Sequence, residues 1–162
     1  MEPVWTFTNQ TQLNKKQFID YIERKVFRTI RKYNMLSNPI TLKKSKDLNT
    51  TVLKKILQTK FQTKHSTKPN TSSANLSQIA EDIFKNILKG KFKPTTNNQQ
   101  PTTTKAPLLY VSDKEIELYA KLTNIKGTKR KQDKKIQLLF QRFLTKNQDL
   151  ELNIIKAQSQ IK

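Results

Sequence analysis

The chain has 162 residues, with 32 Lys and Arg against 12 Asp and Glu, a formal net charge of +20 and a pI near 10.2. Such a balance is self-repelling unless a polyanion neutralises it. There is no cysteine, which excludes disulfides and thiolate metal sites, and there are two glycines, Gly90 and Gly127, too few for the nucleotide motif GxGxxG and too far apart for GxxxxGKS/T.

Leu, Ile, Val and Phe make up 43 residues, enough for a packed core. No run of 18 apolar residues exists, so no membrane helix is expected. "MEPVWTFTNQTQ" lacks a basic and an apolar signal region, so the expected location is cytoplasmic or organellar rather than secreted.

Taken in chain order, the periods are mostly helical. Over 15–33, "KKQFIDYIERKVFRTIRKY" puts Phe18, Ile22, Val26, Ile30 and Tyr33 on one face and Arg24, Arg28 and Arg31 on another. Ile40-Thr41-Leu42 is a short strand pattern, followed by a polar turn and a helix over 50–60. "QTKHSTKPNTSS", 62–73, is polar and aperiodic and reads as a linker, with the lone His65 a solvated loop residue. Over 75–89, "NLSQIAEDIFKNILK" is helical, capped by Asn75 and ended by Gly90. "KFKPTTNNQQPTTTKAP", 91–107, reads as a disordered linker. Leu108-Leu109-Tyr110-Val111 reads as a buried strand, and Ser112 with Glu115 as the capping box of a helix over 112–122. A last helix is expected over 128–145, with Ile136, Leu139, Phe140 and Phe143 inward, and "LELNII", 150–155, alternates like a strand. The fold class expected is mostly α with a small α/β remnant, in one domain. Its pieces are an N-terminal segment 1–61, a helix 74–90 and a basic C-terminal segment 108–162, joined by the two linkers.

Three basic groups stand out: Arg24, Arg28 and Arg31; Lys43, Lys44 and Lys46; and Lys126, Lys129, Arg130, Lys131, Lys134 and Lys135 in "KGTKRKQDKK". Any one is ordinarily a solvated face. Together at +20 they point to a nucleic acid partner held by its phosphates, RNA above all. Tyr33, Phe61 and Phe92 lie near basic residues and are candidates to stack on unpaired bases.

In order along the chain, "FIDYIERKVFRTIRKYNML", "ITLKKSKDLNTTVLKKIL", "SANLSQIAEDIFKNILKG", "PLLYVSDKEIELYAKL" and the C-terminal "KKIQLLFQRFLTKNQDLELNIIKAQSQI" resemble segments of one family. These are the PP-loop ATP pyrophosphatases that thiolate tRNA uridines in archaea and eukaryotes. The likeness covers about two thirds of the chain in pieces. It implies an α/β fold, ATP, a tRNA substrate and sulfur transfer.

The departures from that family are systematic. Its loop Ser-Gly-Gly-Lys-Asp-Ser falls on Ser45, Lys46, Asp47, Leu48, Asn49 and Thr50. Both glycines and the lysine of that motif are absent at the matching positions. Its second motif, Gly-His-Asn-x-Asp-Asp, puts Ala74 at the His and Ser77 and Gln78 at the two Asp positions. Its cysteines cannot exist here, and the chain is short for the family, as if a large part of the sheet were missing. Ser45, Lys46, Asp47, Asn49 and Thr50 therefore read as a relic nucleotide loop, with no catalytic residue, no metal site and no cofactor expected. Three readings stay open: a non-catalytic tRNA- or RNA-binding relative of the thiolases, alone or with a catalytic partner chain; a basic ribosomal protein on rRNA; and an active ATP-dependent sulfurtransferase.

Overall fold

The computed structural model of the protein describes residues 2–35, 39–91 and 105–160. The chain opens with a small antiparallel hairpin. Strand β1, Trp5–Thr6, pairs with β2, Gln12–Leu13, in the register Trp5 to Leu13 and Thr6 to Gln12. Helix α1, Lys15–Lys32, follows. Asn14 and Gln17 form its capping box, and Arg31 and Lys32 in its last turn suit the negative end of the helix dipole. Phe18, Ile22, Val26 and Ile30 are buried along one face, as their spacing requires.

Strand β3, Ile40–Leu42, runs parallel to β4, Thr63–His65, and helix α2, Leu48–Leu57, makes the crossover between them. The stretch expected to be a linker at 62–73 thus contributes a strand. His65 is exposed, but on β4, with Nε2 3.1 Å from Lys54 Nζ. The free edge of β3 is also engaged. Thr71 N donates to Thr41 O at 3.2 Å, Asn70 Oδ1 accepts from Thr41 N at 2.9 Å, and Ser72 N reaches Lys105 O at 2.7 Å.

Helix α3, Leu76–Leu88, starts at the Asn75 cap, and Gly90 follows it at φ +68, the left-handed turn that glycine takes without strain. Residues 108–111 form turns rather than the expected strand, with Leu109 N on Ala106 O and Val111 N on Leu108 O. Their apolar side chains are buried all the same. The pattern was one of burial, which a tight turn serves as well as a strand. Helix α4, Asp113–Leu122, begins at the Ser112/Glu115 capping box. Helix α5, Lys134–Leu144, follows its Asp133 cap and starts six residues later than 128–145 suggests, because Thr128 is bridged to Asp47 at the start of α2. Ile136 and Phe140 turn inward, whereas Leu139 and Phe143 are exposed. The tail that alternates like a strand is helix α6, Leu150–Gln160, lying on α3. Leu150 and Ile154 are four apart, so the same residues fit a helical period.

The main core gathers α1, α2, α4 and β3 around Phe18, Leu53, Leu42 and Tyr119. A second cluster joins α3 to α6 through Ile79, Ile83, Leu109 and Ile155. The result is mostly α with a small α/β portion. Among the described residues no helix is long and apolar enough to cross a membrane.

Candidate nucleic-acid interface

A helix start is an anion site only while its first amides are free. At the start of α2 the amides of Leu48 and Thr50 are taken. Asp47 is the N-cap, and its Oδ1 accepts from Thr50 N at 2.8 Å. Thr50 Oγ1 lies 2.8 Å from Asp47 Oδ2 and 2.8 Å from Ser73 Oγ. Ser45 Oγ accepts from Asp47 N at 3.1 Å. Leu48 N donates to Thr128 O at 2.8 Å, and Thr128 N to Lys46 O at 3.0 Å. A phosphate arriving here meets a carboxylate and a backbone carbonyl where it needs donors.

Gly127 lets the 126–128 segment lie this close. A Cβ on it would stand 2.8 Å from Leu48 Cα and 3.1 Å from Lys46 O, both backbone atoms with little room to move. Gly127→Ala is expected to cost about 1–3 kcal/mol, as overpacking does. Thermal melts followed by circular dichroism check this, at roughly 2–4 °C of Tm per kcal/mol for a chain of this size. An unchanged Tm would show that the segment is not pinned on α2.

Of the second motif's positions, Ser77 makes structural contacts. Ser77 Oγ donates to Glu151 Oε2 at 3.0 Å and accepts from Asp113 N at 3.0 Å, tying α3 to α6 and α4. Burial pushes the Glu151 carboxyl up from its ordinary range, against the lowering effect of the Ser77 bond.

Arg130 needs a correction. Expected on a phosphate-binding surface, it is turned inward, its side chain 11% exposed. Nε donates to Asp113 Oδ1 and Oδ2 at 3.0 and 2.9 Å, and Nη1 donates to Glu81 Oε2 at 3.0 Å. Glu81 is buried and also accepts from Lys85 Nζ at 2.9 Å and Asp133 N at 3.1 Å. Burial alone would raise the Glu81 carboxyl, but the bonds from Lys85 and Arg130 outweigh it and hold the group below its usual value. A similar hub, absent from the sequence reading, joins α1 to α4. Lys25 Nζ is 2.8 Å from Glu115 Oε1, and Tyr21 OH donates to the same oxygen at 3.1 Å. A carboxylate at the N3 position of a capping box was its one legible half.

The other candidate cations are all exposed: Arg24, Arg28, Arg31, Lys43, Lys44, Lys46, Lys126, Lys129, Lys131, Lys134 and Lys135. The pairing of Asp47 with Thr128 sets the 43–46 loop against the 126–131 segment, so two of the three groups share one region. Lys129 Nζ lies 2.8 Å from Glu117 Oε2, and Arg24 Nη2 lies 2.7 Å from Asp20 Oδ2, both pairs open to solvent. The α1 stripe is separate, and its Arg28 opens onto a different cleft. Of the aromatic candidates, Tyr33 is half-buried beside Tyr110, Phe61 packs on Phe27, and Phe92 lies outside the described residues.

No family model matches the chain, and no curated protein sequence matches it. A solved structure does. The U34-tRNA thiolase NcsA from Methanococcus maripaludis, determined with its [4Fe-4S] cluster, superposes with a TM-score of 0.75 at 12% identity, over 99% of this chain and 84% of that one. The large missing portion expected from the sequence is not apparent against this structure, 84% of which is covered. The residues present do not fit such a cluster. The chain has no cysteine, and among the described residues no three His, Asp or Glu side chains group to hold a metal. What the chain shares with that tRNA thiolase is its fold, over nearly its whole length.

Proposed function

We propose that this chain is a non-catalytic RNA-binding protein of tRNA metabolism, keeping a thiolase-like fold without binding ATP at the start of α2. The observation that carries the reading is the helix start itself, where Asp47 and the Thr128 carbonyl occupy the amides of Thr50 and Leu48, two of those a pyrophosphate would use. The fold likeness to a tRNA thiolase supports tRNA as the RNA. The net charge of +20 and the exposed lysines of 43–46 and 126–131 support phosphate binding. Free tRNA, a catalytic partner chain and a ribosomal assembly are the settings such a surface would serve.

Titration calorimetry with Mg-ATP is expected to give no heat of binding at millimolar nucleotide. Micromolar affinity would overturn the closed-site reading and favour an ATP-dependent enzyme. Sedimentation of native extracts separates the settings. A tRNA binder stays in the light fractions, and a ribosomal component travels with the subunits.

A further inference from the structure

The N-terminal hairpin, the second half of α1, residues 110–115 and helices α5 and α6 enclose a cleft of about 1500 Å³. This is larger than the ~300–1,000 Å³ of ordinary small-molecule pockets. None of residues 45–50 lines it. Its walls combine three kinds of group. Tyr33 and Tyr110 supply half-buried rings, their hydroxyls 2.7 Å apart. Gln141 and Gln148 line it, exposed, from the α5 side, whereas Gln137 also lines it but gives its Nε2 to Glu81 Oε2 at 3.3 Å. Arg28, Lys32 and Lys114 bring positive charge.

Lys32 is the link between rings and charge. Its Nζ donates to Tyr110 OH at 3.0 Å and stands 5.1 Å and 5.2 Å from the Tyr33 and Tyr110 ring centroids. The cation rests beside both rings and, being exposed, is within reach of a phosphate entering the cleft. Arg28 is exposed and makes no ion pair among the described residues. The acids of the cleft are mostly engaged: Asp113 by Arg130, Glu115 by Lys25, and Glu151 by the Ser77 hydroxyl. Asp149 stands exposed at the rim.

Aromatic faces, amides that match base edges and a few cations are what unpaired nucleotides require. An apolar ligand would leave the glutamines unsatisfied, and a lone mononucleotide would leave most of the volume empty. We propose that this cleft holds a short unpaired stretch of RNA, with bases against Tyr33, Tyr110 and the glutamine amides and phosphates on Arg28 and Lys32. The proposal rests on the RNA-binding reading above and gives it a second place on the molecule.

Trp5 is the chain's one tryptophan and lines the cleft, with its Nε1 buried and unpartnered. Its fluorescence reports occupancy. The full chain is titrated with dye-labelled hexauridylate and, separately, with an RNA duplex of similar length, reading Trp5 emission and dye anisotropy together. Hexauridylate is expected to change Trp5 emission saturably. Tyr110→Ala should weaken this binding about fivefold or more, as loss of a stacking surface does, while Tyr110→Phe keeps it. Arg28→Ala should make the salt slope shallower by about 0.7. Gln141→Ala, an exposed change, should weaken binding without touching the fold, and it keeps the test valid if Tyr110→Ala fails to fold. Binding by anisotropy with silent Trp5 and no effect of Arg28→Ala or Gln141→Ala overturns the cleft and leaves the RNA reading standing. Equal Trp5 response to the duplex overturns the assignment to unpaired RNA. No binding of either RNA near physiological salt removes both readings.

Discussion

Arg130→Ala is expected to destabilise the protein by about 3–5 kcal/mol, the cost of stripping one partner from a buried ion pair. Folded domains are stable by about 5–15 kcal/mol, so this is about a fifth of the total at the least. The reason lies in what remains behind. Asp113 keeps Asn75 Nδ2 and Gln132 Nε2, and Glu81 keeps Lys85, but each loses its guanidinium, Glu81 in a buried position and Asp113 in the wall of the cleft. Arg130→Lys should recover only part, because a point charge cannot span Asp113 on α4 and Glu81 on α3 at once. Lys129→Ala and Lys131→Ala, on either side of it and exposed, should stay within about 0.5 kcal/mol of the parent.

Urea unfolding of the four variants gives the comparison, and pH sharpens it. The Glu81 carboxyl is held below its unfolded value, so its contribution is present above that unfolded value and is lost as pH falls through the folded one. The penalty of Arg130→Ala should therefore shrink in acid, as the orphaned carboxylate takes a proton. Equal stability of Arg130→Ala and Lys131→Ala at neutral pH would return Arg130 to the surface and to the RNA-binding set.

Arg130 also marks where sequence reading stops. "KGTKRKQDKK" looks uniform, with six cations around one acid, and no local rule separates the fourth cation's fate from the third's. The acids that claim Arg130 sit 49 and 17 residues away, on helices whose packing no local pattern encodes. The same limit explains β4. Thr63-Lys64-His65 has no apolar alternation, because it is a mostly exposed strand held by backbone pairing to β3. The legible features were those written within one or two turns: the amphipathic face of α1, the caps at Asn75 and Ser112, and Gly90. At the start of α2 the sequence disclosed the missing glycines. That the Thr50 amide is bonded by Asp47 from within and the Leu48 amide by Thr128 from across the fold is a tertiary fact.

The surface around that filled site should bind folded tRNA with an affinity that collapses as salt rises. Each neutralised phosphate contributes a log–log slope of about −0.9 on a duplex and about −0.7 on a single strand. The 43–46 loop and the 126–131 segment bring Lys43, Lys44, Lys46, Lys126, Lys129 and Lys131 into one region, so a slope of roughly −4 or steeper is expected. Between 50 and 200 mM salt this amounts to a loss of roughly two orders of magnitude or more. The variant to test is Lys126→Ala with Lys131→Ala, which leaves the Arg130 hub and the Lys129–Glu117 pair in place. Its slope should be shallower by about 1.5, with an unchanged melting curve to show that only the surface was altered. A chain at +20 attracts any phosphate polymer at low salt, so the deciding comparison is made near 0.15 M, where the Debye length is about 8 Å and only close contacts survive. Tighter binding to tRNA than to duplex DNA of equal length at that salt means the protein recognises RNA shape. Equal binding means generic polyanion attraction, and no binding to either makes an acidic protein surface the partner that this charge was built to meet.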